Sequence, residues 1–455
     1  MAKNGAIRSI DGINTNAGPI RLASHSSIYT AAGSTFYLAG AISNAGYVLT
    51  IGGYGDTYVQ GNIIGTGGLT KERAGTLTLQ NFATNAYGST IVESGTLKLD
   101  YNAGGSVVSN LVAPNSALYL GVSSFSMTTG GTLVVNGPSV GAITQTFASL
   151  TINPGLNAIV AQTNGGDIFL NLGNIVRAVG SGIVDLTLPG GAGEITSTLS
   201  NNSAGLLARG VLGVSSTNLL ITIDRTDWAM ATNFGGAFLK ITNYNGYADV
   251  AISGAIGDDA NSNVRVGGNA AGSVTLGAAL TTINTLAVTN AAATTVDLEA
   301  TKTLRLGQTG GILMSPNSGG LTIGASVNDG FLTVGGGADV AGELVLINNS
   351  GNALTINAPV INNGTGNVWV TINGPGAVNL AGSNAYSGIT YVNAGTVTFS
   401  GTNNIGQIAV VGGDATFSSS SDNILVGGSS TVNDGVLRLN GTTKFVLEGG
   451  ASALS

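Results

Sequence analysis

The densest group of side chains able to do acid–base chemistry lies at residues 224–228, which are Asp-Arg-Thr-Asp-Trp. Two carboxylates beside an arginine suit general acid–base catalysis, and the tryptophan would offer an aromatic face to a sugar ring. The same residues also suit a structural role, in which a local salt bridge holds a loop over the end of the fold and Trp228 is buried beneath it. The residues themselves leave both alternatives open.

Metal ligands and nucleophiles are few. Asp258 and Asp259 lie between Gly257 and Asn261, an oxygen-rich turn that would suit Ca²⁺, but the spaced acidic pattern of a calcium loop is missing, so we expect a solvated turn. His25 is the only histidine and there is no cysteine, so we expect no zinc site. A serine triad through His25 is not indicated, because serine is too abundant for such a combination to carry information. We therefore assign no catalytic, cofactor-binding or metal-binding residue and no cofactor.

Two further groups stand out by residue type. Residues 71–73, Lys-Glu-Arg, form the one tight run of charge, and we expect them on an exposed corner. Aromatic residues concentrate in the first 60 positions, where we expect them to cover an open end of the fold or to contact a neighbouring subunit. These aromatic residues are Tyr29, Phe36, Tyr37, Tyr47, Tyr54 and Tyr58.

The composition replaces charge by small neutral polar residues. Only 8% of the 455 residues are charged, against about 25% in ordinary domains, while hydrophobic residues make up 43%. There are 73 Gly and 45 Asn, and the net charge is −7. This balance excludes a disordered chain and a disulfide scaffold, argues against nucleic-acid binding, and leaves little material for catalysis. No apolar run reaches the roughly 18 residues that would cross a bilayer, so we expect no membrane insertion by this segment.

Short runs of alternating apolar and polar residues recur along the chain, for example at 76–79, 96–99 and 343–346, with Gly, Asn and Ser between them. This pattern predicts short strands and tight turns, in either a series of β-sandwiches or a parallel β-helix. The β-helix is favoured because no linker is visible, because the segments resemble one another, and because outward Thr, Ser and Asn can form ladders where stacked charges would repel. We predict an all-β chain forming a single elongated parallel β-helix (β-solenoid) of about 20 coils, at roughly 20–25 residues each.

The chain repeats itself. Residues 49–97 and 354–397 share the landmarks Leu-Thr-Ile, Gly-Thr-Gly and Asn-Ala-Tyr in the same order, at offsets of 299 to 305 residues. One stretch is therefore a copy of the other with small insertions and deletions. Threonine spacing, by contrast, is too irregular for the Thr-x-Thr ranks that an ice-binding solenoid would need.

Residues 67–99, GGLTKERAGTLTLQNFATNAYGSTIVESGTLKL, resemble the autotransporter-associated β-strand repeat of large Gram-negative surface proteins. That repeat has the form G-G-L-T-K, then G-T-L-T-L, then N-x-Y-x-G-x-T-x-V-x-x-G-T-L. Residues 374–399 match more loosely and lack the G-L-T-K start. Residues 171–177 and 226–229 resemble the N-L-G-x-I-x-R strand and the T-D-W-A element found between such repeats. Since T-D-W-A recurs as structure, the resemblance favours the structural role for residues 224–228.

The resemblance implies a right-handed β-helix exported to the cell surface, usually ahead of a C-terminal outer-membrane barrel. Residues 451–455, Ala-Ser-Ala-Leu-Ser, have no terminal aromatic residue of the kind such barrels carry, so we expect a passenger fragment, a processed passenger, or a protein held at the surface by another route.

We expect four regions along the chain. Residues 1–60 would form N-terminal coils with the aromatic-rich cap or contact region, and residues 61–145 a β-helix with the autotransporter-type repeat. Residues 146–255 would form coils with longer loops, and residues 256–455 a C-terminal β-helix with the second repeat copy.

The expected function is non-enzymatic: an extracellular structural or adhesive rod at the bacterial surface, with head-to-tail assembly into fibres as a further hypothesis. Its partners would be other copies of itself and host or neighbouring-cell surfaces or glycans. The alternative is a polysaccharide-active β-helix enzyme, a lyase or hydrolase, which would need at least three charged side chains converging in one groove.

Overall fold

The computed structural model describes residues 5–81, 83–103, 109–121, 130–209, 217–232 and 237–418, together with the strands Ile424–Gly427, Thr431–Val432, Val436–Leu439 and Phe445–Glu448. These residues form strands, turns and loops, and nearly all strand pairs are parallel. The strands wind into a β-solenoid of about 17 turns, which confirms the fold predicted from the sequence. In the described part of the chain there is no helix that could cross a lipid bilayer.

The turns are divided between two successive stacks of coils, and the strands of each stack form three walls. Some coils contribute no described strand to the third wall. In the first stack, sheet 1 consists of Ile7–Ser9, Ser26–Thr30, Leu49–Gly53, Leu69–Lys71, Ser89–Val92, Ala117–Leu120, Ser149–Ile152 and Asn174–Arg177. The parallel strands of sheet 2 are Ile13–Asn16, Thr35–Leu38, Asp56–Val59, Thr76–Leu79, Ser94–Asp100, Gly130–Asn136, Leu156–Gln162 and Ile183–Thr187. The third wall, called sheet 3 here, contains Ile20–Arg21, Ile42–Ser43, Ile63–Ile64, Ala142–Thr146, Asp167–Asn171 and Glu194–Ser197.

The second stack repeats this arrangement. Sheet 4 contains Ala248–Val250, Asp259–Val266, Leu280–Val288, Thr309–Met314, Gly342–Asn348, Val368–Asn373, Thr390–Val392, Ile408–Val410 and Thr431–Val432. Sheet 5 contains Ala255–Ile256, Gly272–Leu276, Thr294–Asp297, Leu321–Ile323, Leu354–Ile356, Ala377–Leu380, Thr396–Phe399, Asp414–Phe417 and Val436–Leu439. The third wall, sheet 6, contains Thr303–Leu306, Phe331–Val334, Asn384–Tyr386, Asn403–Ile405, Ile424–Gly427 and Phe445–Glu448.

A cap of antiparallel strands closes the first stack. Its strands are Thr222–Ile223, Asp227–Thr232 and Leu239–Asn243. The first of them pairs in parallel with Ile183–Thr187 of sheet 2, and the last pairs antiparallel with Glu194–Ser197 of sheet 3. The cap therefore bridges two walls across the end of the stack. A short hairpin of Ala208–Arg209 and Thr217–Asn218 lies beside it.

Alternation along each strand directs side chains inward and outward in turn. In Ser94–Asp100, Leu97 and Leu99 are buried, whereas Lys98 between them is partly exposed. Leu97 lies opposite Leu77 on one neighbouring coil and Leu133 on the other, so like residues stack in apolar columns. Each stack has its own hydrophobic core, and a third, smaller cluster lies between the two stacks.

Coil length varies more than the sequence indicated. Leu49 pairs with Leu69, a coil of 20 residues, whereas Leu321 pairs with Leu354, a coil of 33 residues. The longer coils carry extra loop residues, which explains why about 17 turns are found where about 20 were predicted.

Candidate functional site

The junction between the two stacks is the least regular part of the molecule and brings together side chains that are far apart in sequence. Here the end of the first stack and its cap cover the outward side of sheet 4. Apolar residues on that side, which would otherwise face solvent, are therefore buried. The buried apolar cluster consists of Ile183, Leu206, Leu220, Trp228, Tyr244, Ala287, Leu313, Val345 and Ile347.

Trp228 is the largest side chain in this cluster and is completely buried. Its backbone N–H donates a hydrogen bond to the Tyr247 hydroxyl at 3.1 Å. On the other side of the indole lies Gly311, in the strand Thr309–Met314: a Cβ placed on Gly311 would lie only 2.8 Å from Cη2 of Trp228. The glycine therefore gives the indole the space it needs against sheet 4.

A buried ion pair crosses the same junction. The two terminal nitrogens of Arg177 donate to the two carboxylate oxygens of Glu343 at 2.7 and 2.9 Å, and both side chains are at most 4% exposed. The carboxylate also accepts hydrogen bonds from the Gly180 N–H at 3.0 Å and the Thr371 hydroxyl at 2.6 Å. Nε of Arg177 donates to the Gly182 carbonyl at 3.0 Å. A charge pair satisfied in this way can be held in an apolar interface.

The structure places the predicted cluster 224–228 in the cap. Asp224 and Arg225 form the tight turn between two cap strands, with φ of 49° and 59°, and both are exposed. No ion pair forms among residues 224–228 in the described structure, so the predicted salt bridge is not found there. Trp228, however, is buried in a cap, as the structural alternative predicted.

The partner of this turn is a carboxylate that sequence reasoning missed. Asp185 accepts hydrogen bonds from the Arg225 backbone N–H at 2.7 Å and the Thr222 hydroxyl at 2.6 Å. Burial raises the pKa of Asp185, while these two hydrogen bonds and the nearby guanidinium act in the opposite direction. Asp185 thus fixes the cap onto the last coil rather than forming a catalytic pair with Asp227.

The remaining polar candidates are separate from one another. His25 is exposed, and its Nδ1 accepts a hydrogen bond from the Val48 N–H at 3.0 Å. Asp258 accepts from the Thr282 N–H at 2.7 Å, and Asp259 from the Asn261 N–H at 3.0 Å. Both are exposed, as predicted, but Asp259 begins the strand Asp259–Val266 instead of lying in a turn. Within the described residues, no three His, Cys, Asp or Glu side chains come together as a metal site.

The prediction for residues 71–73 is wrong for Lys71, which is only 2% exposed. Lys71 lies opposite Ile51 and Val92, both of which point into the core. Its ammonium donates to the carbonyls of Glu72, Arg73 and Ser94 at 2.7, 2.5 and 3.3 Å. These oxygens at the corner of the coil replace the water that the charge would otherwise need.

The N-terminal aromatic residues form contacts along the outside of the first coils. Tyr37 and Tyr58 lie opposite each other on neighbouring coils, with ring centroids 5.0 Å apart and nearly parallel planes. The guanidinium of Arg8 lies 5.6 Å from the centre of the Tyr29 ring. Phe36 instead belongs to the core. The predicted capping or contact role of these aromatic residues stays a prediction.

The repeat motif is explained by side chains that connect adjacent coils. In the first copy, Oδ1 of Asn85 accepts from the Ile63 N–H at 2.8 Å, and Nδ2 donates to the Leu111 carbonyl at 2.9 Å. In the second copy, Oδ1 of Asn384 accepts from the Val360 N–H at 3.0 Å. At the corner of the coil, each carboxamide forms hydrogen bonds to backbone groups of an adjacent coil, as a backbone group does within a strand.

The tyrosine of the motif is buried in both copies. The Tyr87 hydroxyl accepts from Thr90 at 3.3 Å, and the Tyr386 hydroxyl is 2.6 Å from that of Thr390. Burial raises the pKa of both tyrosines, so these hydroxyls stay protonated over the physiological range. The motif therefore builds the corner of a coil and supplies no reactive group.

A polar cleft of about 310 Å³ lies at the junction, between the short hairpin and the second stack. It is lined by residues 202–204, 217–218, 260–261, 284, 307–309, 335–337 and 340. Two buried asparagines of the lining, Asn218 and Asn284, form its inner wall. Nδ2 of Asn218 donates to Oδ1 of Asn284 at 2.8 Å, and Nδ2 of Asn284 donates to Oδ1 of Asn263, which is not part of the lining, at 2.7 Å. Nothing in the sequence pattern indicated this cleft, because its walls come from segments that are far apart in the chain.

The fold, the buried repeat motif and the capped junction define a parallel β-solenoid. In sequence, the chain is similar to the adhesin BmaC autotransporter of Brucella suis biovar 1 (strain 1330), with 28% identity over 376 residues. The similarity covers 79% of this chain and 10% of the relative, so the chain spans about a tenth of that protein's length. No family model matches the chain, and no solved structure matches it. The β-solenoid and this similarity together confirm the resemblance to an autotransporter passenger β-helix.

Proposed function

We propose that this chain is part of a non-enzymatic adhesive rod on the outside of a bacterial cell. The observation that carries the proposal is the similarity to an adhesin autotransporter over 79% of the chain, within a fold that is solenoid almost throughout. The partners would be host or neighbouring-cell surfaces or their glycans. The chain would act by presenting its surface at a distance from the cell, with no chemical step.

Two features support a rigid presenting role. Continuous parallel ladders and two apolar cores connect each coil to its neighbours, so a solenoid resists bending. The buried junction, with Trp228 and the Arg177–Glu343 pair, holds the second stack in a fixed relation to the first. A rigid junction lets the two stacks present their outer faces in a defined arrangement.

Adhesion is tested directly with the purified 455-residue chain. The protein, coupled to fluorescent beads, is applied to mammalian cells, extracellular-matrix proteins and bacterial cells. Beads that carry an unrelated β-solenoid of similar size serve as the control. Binding above that control to at least one surface is expected, and binding no stronger than the control on every surface would contradict the proposal.

Assembly into fibres is a further part of the proposal. The first described coil leaves one edge of Ile7–Ser9, Ile13–Asn16 and Ile20–Arg21 without a strand partner in the described part of the chain. Beside these edges Ile10 and Ile13 are 68% and 76% exposed. An unpaired parallel edge with apolar side chains is a template for another coil.

Sedimentation velocity and negative-stain imaging over a range of concentrations test the fibre hypothesis. We expect end-to-end assemblies that the variant Ile13→Lys weakens, because it places a charge at the contact. The variant Val140→Lys, at a residue that is 74% exposed elsewhere, is the matched control. Dispersed monomers of the unmodified chain at every concentration would contradict assembly.

A further inference from the structure

We infer that the polar cleft at the junction binds an uncharged polyhydroxylated ligand, with the chemistry of a neutral saccharide unit of a surface glycan. The inference rests on the proposed adhesive function and gives it a site.

The lining is polar but carries no charge in the described residues. It consists of carboxamides, hydroxyls, backbone groups and a few small apolar side chains, with Asn261, Gln308 and Thr309 among them. Carboxamides and hydroxyls both donate and accept hydrogen bonds, as sugar hydroxyls do. A charged ligand would lose its hydration here without meeting an opposite charge, so the cleft favours a neutral one.

The inner wall is already fixed in position. Asn218 and Asn284 are at most 6% exposed and are hydrogen-bonded to each other, and Asn218 also donates to the Thr309 carbonyl at 2.8 Å. A wall fixed before binding loses little conformational entropy when a ligand arrives. Nδ2 of Asn284 donates to Oδ1 of Asn263 at 2.7 Å and to Oδ1 of Asn218 at 3.3 Å, and these hydrogen bonds fix the orientation of its carboxamide.

The outer part of the cleft offers groups that the protein does not use. The Gln308 carboxamide is exposed, and neither it nor the Thr309 hydroxyl has a hydrogen-bond partner among the described residues. At the rim, Gly336 and Gly337 carry no side chain, and a Cβ placed on either would meet no protein atom closer than 3.5 Å. A ligand can therefore reach the backbone closely along this edge.

The size of the cleft limits the ligand. Its volume of about 310 Å³ is at the small end of ligand pockets, which suits one or two sugar rings. No aromatic side chain lines the described cleft, so a single site has only hydrogen bonds to offer, and their net gain over water is small. We therefore expect weak binding at one site and useful binding only when many copies engage together.

An array of immobilised oligosaccharides, probed with the protein displayed on fluorescent beads, tests the inference. The array holds neutral glycans and their sialylated and sulfated counterparts. Two variants alter the cleft: Ala260→Trp fills it from an exposed lining position, and Gln308→Ala removes an unused carboxamide. Ala142→Trp and Gln162→Ala make the same changes at exposed positions on the first stack.

We expect the unmodified chain to bind neutral glycans, with the signal reduced about tenfold or more by Ala260→Trp and less by Gln308→Ala, and unchanged by the two controls. Preference for acidic glycans, no binding to any glycan, or equal binding by Ala260→Trp and Ala142→Trp would each overturn the inference. Thermal denaturation checks that all four variants are folded before the comparison is made.

The same variants separate this inference from the proposed function. If the unmodified beads and the Ala260→Trp beads adhere to cells equally well, adhesion stands and the cleft is not its site. If the unmodified beads adhere to no surface while the array detects a neutral glycan at the cleft, the cleft is a binding site and the adhesive role fails.

Discussion

Arg177 and Glu343 are 166 residues apart in the chain, yet they form a two-fold hydrogen-bonded ion pair in the junction between the stacks. Arg177 belongs to the last strand of sheet 1, and Glu343 lies on the outward side of sheet 4. Both are shielded from solvent, so neither charge can be satisfied by water if the other is removed. The pair is therefore a sensitive measure of whether the two stacks are docked.

Glu343→Gln keeps the shape of the side chain but removes the negative charge that faces the buried Arg177 guanidinium. We expect the free energy of unfolding to fall by about 3–5 kcal/mol. Urea denaturation followed by circular dichroism measures the change, and hydrogen exchange shows whether it is concentrated at residues 177–182.

The double variant Arg177→Met/Glu343→Gln tests whether the two side chains act as a pair. It should lose less free energy of unfolding than the two single variants lose in sum. Asp249→Asn, in the exposed pair of Asp249 and Arg265, is the control and should cost at most about 1 kcal/mol. Equal losses of free energy of unfolding in Glu343→Gln and Asp249→Asn would contradict a stabilising role for the buried Arg177–Glu343 pair.

Gly311→Ala tests the space that Trp228 occupies. The added methyl group would lie 2.8 Å from the indole, so the cap must move away from sheet 4. We expect about 1–3 kcal/mol of destabilisation. The control is Gly52→Ala, also within a strand, where the closest atom to a Cβ is 3.4 Å away. Trp228 fluorescence reports the movement: a red shift in Gly311→Ala but not in Gly52→Ala is expected, and unchanged emission in both would count against close packing here.

Asn384→Ala removes the carboxamide that connects coils in the second repeat copy. It leaves the Val360 N–H without its acceptor, and each unsatisfied buried group costs about 1–3 kcal/mol. The control is Asn404→Ala, at an exposed position on the next coil of the same wall. Thermal unfolding of the two variants should differ clearly, with a lower midpoint for Asn384→Ala. Similar midpoints would mean that this asparagine is dispensable to the corner.

Lys71 gives the stability of the first stack a dependence on pH. Burial lowers the pKa of Lys71 to about 7, against about 10.4 in an unfolded chain. Between these values the unfolded state binds more protons, so the free energy of unfolding should rise with pH from 7 to 10, by at most about 1.4 kcal/mol per pH unit.

Comparison with Lys71→Met isolates this contribution, because the other titrating groups are common to both proteins. The free energy of unfolding of the unmodified chain, measured relative to that of Lys71→Met from pH 6 to 10, should rise with pH. Lys98→Met, at a partly exposed lysine, is the matched control. A constant difference for Lys71→Met would mean that the three surrounding carbonyls keep the ammonium charged throughout.

The sequence predicted the features that depend on local alternation and on the repeat. The inward and outward faces of strands such as Ser94–Asp100 follow directly from their period of two. The Asn-Ala-Tyr landmark marked equivalent corners of two coils, although its hydrogen bonds could not be derived from spacing. The sequence predicts Lys71 on an exposed corner, because a run of charged residues normally faces solvent. Its three carbonyl partners belong to the turn of the coil and have no signature in the sequence.

Features set by register across long coils could not be predicted. On sheet 5, Thr295, Thr322 and Thr355 are paired in one outward column, although 27 and 33 residues separate them. Unequal coil lengths hide this alignment in the linear sequence. The polar cleft and the Arg177–Glu343 pair are hidden for the same reason, since each depends on where a distant coil lies after the chain has turned at the cap.

The cap of the first stack also affects how the chain reaches its folded state. In a solenoid, each finished coil offers a strand edge on which the next coil forms, so order spreads from one coil to its neighbour. The antiparallel strands Thr222–Ile223, Asp227–Thr232 and Leu239–Asn243 use up that edge. We expect this pairing on two of the three walls to interrupt propagation at the cap, so that the second stack forms from a nucleus of its own. We therefore expect two cooperative folding units, one for each hydrophobic core, which join where Trp228 packs against Gly311.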